Sequence, residues 1–255
     1  MRILNKFNTM KYTLLFLVFL AKLAYTQPVI KTDLVYKVNE AQRKNVKSLV
    51  LIMLHGYGSN ESDLFDIAKG VDERFITFSL RAPYEVKGQG YCWFNLDFLP
   101  EKKFKYNYSE VKKSASRILD FINQACRAYK ADSTQVFIMG YSQGAMLSYE
   151  MAFAYPDKIK GIAALSGFIL PETKQIKSNP TKLANVNFFM AHGQMDQVVD
   201  IKDAESTFKF IQSKKLKAEY KTYTMPHAIN GQELNDIKAW LKKNVKAEKR
   251  TDIER

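Results

Sequence analysis

Residues 136–146 read Val-Phe-Ile-Met-Gly-Tyr-Ser-Gln-Gly-Ala-Met, and the reading of that stretch decides the fold. Four apolar residues, Val136 to Met139, run straight into Gly140-Tyr141-Ser142-Gln143-Gly144. A helix-compatible segment, 145–155, follows without a break until Pro156. A short and wholly apolar run is what a strand buried on both faces looks like, because a parallel sheet is covered by helices on each side. The G-x-S-x-G behind it fits a nucleophile elbow, a strained strand-to-helix turn that pushes one serine hydroxyl into the open. Glycine suits positions 140 and 144 because a side chain there would collide with neighbouring chain as it doubles back. Ser142 is the candidate nucleophile.

Outward from that stretch, strand and helix alternate. Residues 48–54, 75–80, 161–168, 186–191 and 218–225 read as further strands, and 33–40 as an edge strand. Helical spacing marks 61–71, 109–129 and 203–212, with a last helix capped by Asn230 and Glu233. In the 109–129 segment, Val111, Ala115, Ile118, Leu119, Ile122, Ala125, Cys126 and Tyr129 form one apolar stripe. This alternation predicts an α/β fold, a mostly parallel central sheet with helices on both faces. Regularity fails only between 84 and 108, where Tyr91, Trp93, Phe94, Phe98, Phe104 and Tyr106 crowd a long loop. A loop of that length in a compact domain is usually functional, and its aromatics argue against disorder.

The first 26 residues stand apart. Basic residues precede an apolar run at 12–21, and Ala24-Tyr25-Thr26 offers small residues where a signal peptidase would cut. We therefore expect a signal peptide at 1–26, cleavage near Thr26/Gln27, export to the periplasm or beyond, and one hydrolase domain at 27–255. The formal charge is +13, of which four positive charges lie in 1–26, leaving nine on the expected mature chain. Its lysines lack aromatic interleaving or a binding motif, which speaks against a nucleic-acid partner. Weak attraction to an anionic membrane or a cell-surface polymer is the partner that this charge allows. Two cysteines, Cys92 and Cys126, do not make a disulfide scaffold and are expected as free thiols.

A serine hydroxyl needs a base to take its proton and a carboxylate to orient that base. In an α/β-hydrolase fold the order along the chain is serine, acid, histidine. His55 and His192 come too early to be last, which selects His227. The acid should follow a strand, and Asp196 lies in the loop after 186–191; Asp200, four residues on, is the competitor. Acyl transfer also needs N–H donors for the developing oxyanion. Gln143 should supply one and the loop His55-Gly56-Tyr57-Gly58 the other, assigned to Tyr57 with Gly56 adjacent.

Taken together, Leu54-His55-Gly56-Tyr57-Gly58, Arg81-Ala82-Pro83, Trp93-Phe94, Gly140 to Met146, Leu165-Ser166-Gly167, His192-Gly193-x-x-Asp196 and His227 resemble the phospholipase/carboxylesterase family, the acyl-protein-thioesterase-like branch of α/β hydrolases. The resemblance implies a triad of Ser142, Asp196 and His227 working without metal or cofactor on esters, lysophospholipids or thioesters. Two positions depart from the family pattern: Pro226 stands where it usually has Gly, and Asp200 where it often has Pro. The sequence is thus read as an exported serine carboxylesterase for small or short-acyl esters, with Trp93, Phe94 and Met195 contacting substrate. A lysophospholipase or acyl-thioesterase at a membrane surface is the alternative. An inactive hydrolase fold used for binding is a third reading, opposed by the intact Ser, Asp and His.

Overall fold

A computed structural model describes residues 28–43, 46–68, 70–100 and 103–245. The expected signal peptide and its cleavage point, Glu101 and Lys102 of the long loop, and the basic tail beyond 245 lie outside the described residues. Within them, β1 (Tyr36–Asn39), β2 (Leu49–Leu54) and β3 (Phe75–Leu80) open the sheet. Later strands are β8 (Val136–Tyr141), β9 (Gly161–Leu165), β10 (Asn187–Gly193) and β11 (Lys217–Tyr223). These seven strands lie in the order β1-β3-β2-β8-β9-β10-β11. Every pairing is parallel except that of β1, which runs antiparallel on the edge. The order reverses around β2 and β8, so the loops after those two strands open beside each other, as at a topological switch point.

The buried strands are apolar throughout because their side chains alternate between two cores. Val50, Ile52 and Leu54 of β2 and Val136 and Ile138 of β8 enter one core. Leu49, Leu51 and Met53, with Phe137 and Met139, enter the other. Helix α1 (Tyr108–Ala128) lays Val111, Ala115, Ile118, Ile122, Ala125 and Cys126 on the first core, as its stripe predicts. Helix α2 (Gln143–Ala154), the short α3 (Pro180–Leu183) and α4 (Ile201–Ser213) join that side. Helix α5 (Gly231–Asn244) covers the second core with Ile237, Trp240 and Leu241. Both cysteines are buried and free, and burial raises each thiol to about 11.

Two expectations are corrected. The helix expected over 61–71 is only a 3₁₀ turn, Phe65–Ala68. Glu61 is instead held in a bidentate ion pair by Arg81, at 2.5 and 2.7 Å, while Leu64 and Ile67, one turn apart, pack on the second core. The irregular loop over 84–108 is two short hairpins. Strands β4 (Tyr84–Val86) and β5 (Gly90–Cys92) pair antiparallel, as do β6 (Leu96–Phe98) and β7 (Phe104–Tyr106). Strands of three residues are too short for a period-2 pattern to show in the sequence.

The capping box at the start of α5 is half made. Asn230 Oδ1 accepts from the Glu233 N–H at 2.8 Å. The Glu233 carboxyl, fully buried, has no hydrogen-bond partner among the described residues. Burial, reinforced by Asp236, lifts its pKa to about 8. The folded state therefore prefers the protonated acid, and stability falls as pH rises from the unfolded value near 4.5 through about 8. Each pH unit in that window costs on the order of 1.4 kcal/mol at most. The melting temperature of the wild type should therefore fall between pH 5 and 8.5, and Glu233→Gln should remove that loss, so the variant gains on the wild type as pH rises. Parallel melting curves for the two proteins across this range would show that Glu233 is not the buried acid responsible.

Candidate active site

Strand β8 delivers Ser142 at its carboxyl end, where the backbone turns into α2 with φ 54° and ψ −114°. That conformation is costly for a residue with a side chain, on the order of 1–3 kcal/mol, and persists only where packing over-determines it. Here a Cβ on Gly140 would run into the Gly144 carbonyl, and one on Gly144 into the Leu54 carbonyl. The elbow, α2 and the end of β2 are thus packed backbone to backbone. The Ser142 N–H donates to Leu165 O at 2.8 Å, tying the turn to β9 as well.

The acid comes from the loop after β10. Asp196 Oδ1 accepts the N–H groups of Val198 and Val199 at 2.8 and 2.9 Å. Its Oδ2 lies 2.6 Å from His227 Nδ1. A carboxylate only accepts, so Nδ1 carries the ring proton and Nε2 is free to accept from Ser142 Oγ, 3.0 Å away. The His227 loop and the acid loop are clipped together: Gln194 N–H donates to Tyr223 O and Met195 N–H to Met225 O. Burial pushes the Asp196 pKa up, but contacts from His192, His227, Val199 and Val198 outweigh it and hold the carboxyl well below its usual range. The ring of Tyr141 packs on the His227 imidazole with centroids 5.0 Å apart. Asp200 takes no part in this relay. It is the N-cap of α4, accepting from Lys202 N–H at 3.0 Å.

The loop after β2 reaches the same point. A Cβ on Gly56 would lie 3.4 Å from the Ser142 Cβ, so the 55–58 backbone passes directly beside the nucleophile. Gln143 is the first residue of α2, where N–H groups lack intrahelical acceptors and face outward with the positive end of the helix dipole. None of the hydrogen bonds found among the described residues uses the backbone N–H of Tyr57 or of Gln143. Both remain available as donors.

Trp93 and Phe94 are not at the substrate surface, contrary to the expectation from sequence. Both are fully buried. The Gln143 side chain clamps their backbone, its Oε1 accepting from Trp93 N–H at 2.8 Å and its Nε2 donating to Phe94 O at 2.6 Å. Trp93 Nε1 donates to His55 O at 2.9 Å, and Ser114 Oγ donates to Trp93 O at 2.5 Å. His55 in turn donates from Nδ1 to Gly56 O and accepts at Nε2 from Ala82 N–H. Burial lowers its pKa, so it stays neutral in that bridging role. These residues form a hydrogen-bonded support behind the 55–58 loop. Aromatic composition marked the hairpin segment as important but could not say which rings point inward. Exposed apolar residues on the loops around the site include Phe98 at 64%, Leu99 at 38%, Met195 at 52% and Val198 at 55%. Tyr57 meets Phe98 edge to face at 5.3 Å.

A serine, a histidine and a carboxylate relayed by hydrogen bonds at the carboxyl end of a parallel sheet define an enzyme of the α/β-hydrolase fold. Residues 36–245 match the phospholipase/carboxylesterase family model, and the chain belongs to that family. It is a serine hydrolase of the kind that cleaves ester or thioester bonds. It is 27% identical over 164 residues to the carboxylesterase SOBER1 of Arabidopsis thaliana, spanning 64% of this chain and 72% of that protein. It is 25% identical to an acyl-protein thioesterase 1 of Mycosarcoma maydis, over 81% of this chain and 95% of the relative. The Bacillus cereus carboxylesterase structure superposes with a TM-score of 0.73, covering 84% of this chain and 96% of that one at 21% identity, a likeness of fold.

The two carboxylates separate cleanly by experiment. Asp196→Asn should cut turnover more than about a hundredfold, because the amide cannot hold the working His227 tautomer. Asp200→Asn should cost less than about tenfold, since asparagine caps a helix about as well as aspartate. Steady-state rates on one activated ester decide the matter; the reverse ranking would move the acid to Asp200.

Proposed function

We propose that this protein is a serine carboxylesterase that hydrolyses small or short-acyl esters through an acyl-enzyme on Ser142. The observation that carries this reading is the unbroken relay from Ser142 Oγ to His227 Nε2 at 3.0 Å and from His227 Nδ1 to Asp196 Oδ2 at 2.6 Å. In this mechanism His227 takes the serine proton as Oγ attacks the ester carbonyl. The Tyr57 and Gln143 N–H groups receive the developing oxyanion. His227 then gives its proton to the leaving alkoxide, and a water attacks the acyl-enzyme by the same steps in reverse. Asp196, ionised across the working pH range, keeps the Nδ1–H aimed and stabilises the imidazolium.

The acyl preference rests on the rim. Phe98, Leu99, Met195 and Val198 offer exposed apolar surface, while the two hairpins also expose Lys87, Asp97, Lys103 and Lys105. A mixed rim suits a soluble ester of roughly two to six acyl carbons better than a lipid aggregate. The names of the relatives, which include acyl-protein thioesterases, keep the thioester reading as an alternative, and the family description, phospholipase/carboxylesterase, the lysophospholipid one. Export through the signal-like segment 1–26 belongs to the same proposal, because an exported chain would not meet cytosolic acyl-proteins.

A series of p-nitrophenyl esters of increasing acyl length, run beside lysophosphatidylcholine micelles and a palmitoyl thioester, tests the substrate class. We expect kcat/KM to be highest on the short soluble esters. Faster hydrolysis of the micellar or thioester substrate overturns the preference. For export, the protein purified from its native host should begin near Gln27; a retained Met1 or Met10 would defeat that part.

A further inference from the structure

The acid of the relay is gripped by a second histidine that the mechanism above does not use. His192 stands at the end of β10, four residues before Asp196, and its side chain is fully buried. Its Nε2 lies 3.1 Å from Val199 O and 3.3 Å from Asp196 Oδ2, the same oxygen that meets His227. Both neighbours of Nε2 are acceptors without hydrogens, so Nε2 must carry a proton. Its Nδ1 has no hydrogen-bond partner among the described residues and is sealed from solvent. A protonated Nδ1 would be a buried donor without an acceptor, which costs free energy, so the stable form is the neutral Nε2–H tautomer.

We infer that His192 is a positioning residue for the hydrolytic reaction, acting on His227 only through Asp196. The inference rests on the reading of Ser142, Asp196 and His227 as the working triad. Val199 is gripped from both sides: its N–H donates to Asp196 Oδ1, and its carbonyl accepts from His192. His192 thus closes the turn that wraps the carboxylate and places a second N–H against Oδ2. A carboxylate oxygen shared between two imidazoles is a weaker acceptor for each, so His192 also tempers how strongly Asp196 holds the Nδ1–H of His227. This fits the low pKa of Asp196, where the contact from His192 is the foremost of those that favour the charged form against the opposing effect of burial.

Other titratable groups around this cluster come from four elements. Tyr141 of β8 packs on His227. Asp63, after β2, and Glu233 of α5 act on Tyr141. Asp203 of α4 is the acid that senses His192. At Asp196 itself, His192 and His227 both face Oδ2. His192 has no exposed surface with which to meet a substrate, so its effect must fall on kcat and on the pH profile, with KM little changed.

The test compares His192→Met, which keeps the bulk and loses the donor, with His192→Gln, whose Nε2 donor reaches about as far as that of histidine. We expect His192→Met to lower kcat about tenfold with KM within about twofold. The acid limb of its kcat/KM profile, which reports the free enzyme's base, should move up by roughly half a pH unit or more. His192→Gln should restore the limb and most of kcat. A purely structural role would lower melting temperature and leave the limb in place, and that result overturns the inference. If His192→Met fails to fold, the wild-type protein still decides: nitrogen-15 imidazole spectra should show His192 as the Nε2–H tautomer, and an Nδ1–H tautomer overturns the proposal. Labelling by a fluorophosphonate, lost in Ser142→Ala, separates the two levels. Without labelling at Ser142 the triad reading itself fails; with labelling and an unmoved limb, only the role of His192 does.

Discussion

The close approach of three backbones at the elbow is the constraint on which the rest of this molecule depends. Gly144 brings α2 onto the carbonyl of Leu54, and Gly140 brings β8 under the first turn of α2. With both contacts in place, Ser142 has nowhere to go except into its strained φ, and its hydroxyl projects from the sheet end. The strain costs on the order of a few kcal/mol and is sustained by two apolar cores that pack the sheet on both faces. An alanine at either glycine would drive its Cβ into a backbone carbonyl, that of Gly144 or of Leu54, which cannot swing away as a side chain can. The site therefore inherits its geometry from core packing.

Around that fixed serine, the chain uses buried polar groups as spacers. The Gln143 amide holds Trp93 and Phe94, Trp93 holds the His55 carbonyl, and His55 bridges Gly56 to Ala82. Each member is satisfied, so the network stabilises the 55–58 loop instead of penalising burial. On the other side, Gly193 lets the acid loop lie against the carbonyls of Met225 and Pro226. The two loops that carry Asp196 and His227 are thus packed directly on each other. Pro226, a departure from the family pattern, stiffens the His227 loop without displacing His227 from Asp196.

The sheet was legible because buried parallel strands are apolar without interruption, and residues 49–54 and 136–139 show this plainly. The relay was legible because three histidines and a fixed chain order leave few combinations. Orientation was not legible. Trp93 sits in an aromatic segment, and composition cannot tell a ring that lines a pocket from one that is hydrogen-bonded under a loop. The same holds for 61–71, where helical spacing of Leu64 and Ile67 was real but served a 3₁₀ turn anchored by the Glu61–Arg81 pair. His192 and His55 come too early in the chain to be the base, and their roles are tertiary. Their tertiary partners, Asp196 and Ala82, are set by neighbouring strands and leave no local pattern. Residues 1–26 carry a sequence signal alone.

The central claim is that the Ser142 hydroxyl, activated by His227, becomes acylated during turnover. The most direct measurement is rapid acid quench of the enzyme with p-nitrophenyl acetate, followed by peptide mapping by mass spectrometry. The account predicts a transient mass gain of one acetyl group on the peptide containing Ser142, formed with the burst of nitrophenol and absent in His227→Ala. A full burst with the acetyl group on any other residue, or turnover with no covalent adduct, would contradict it.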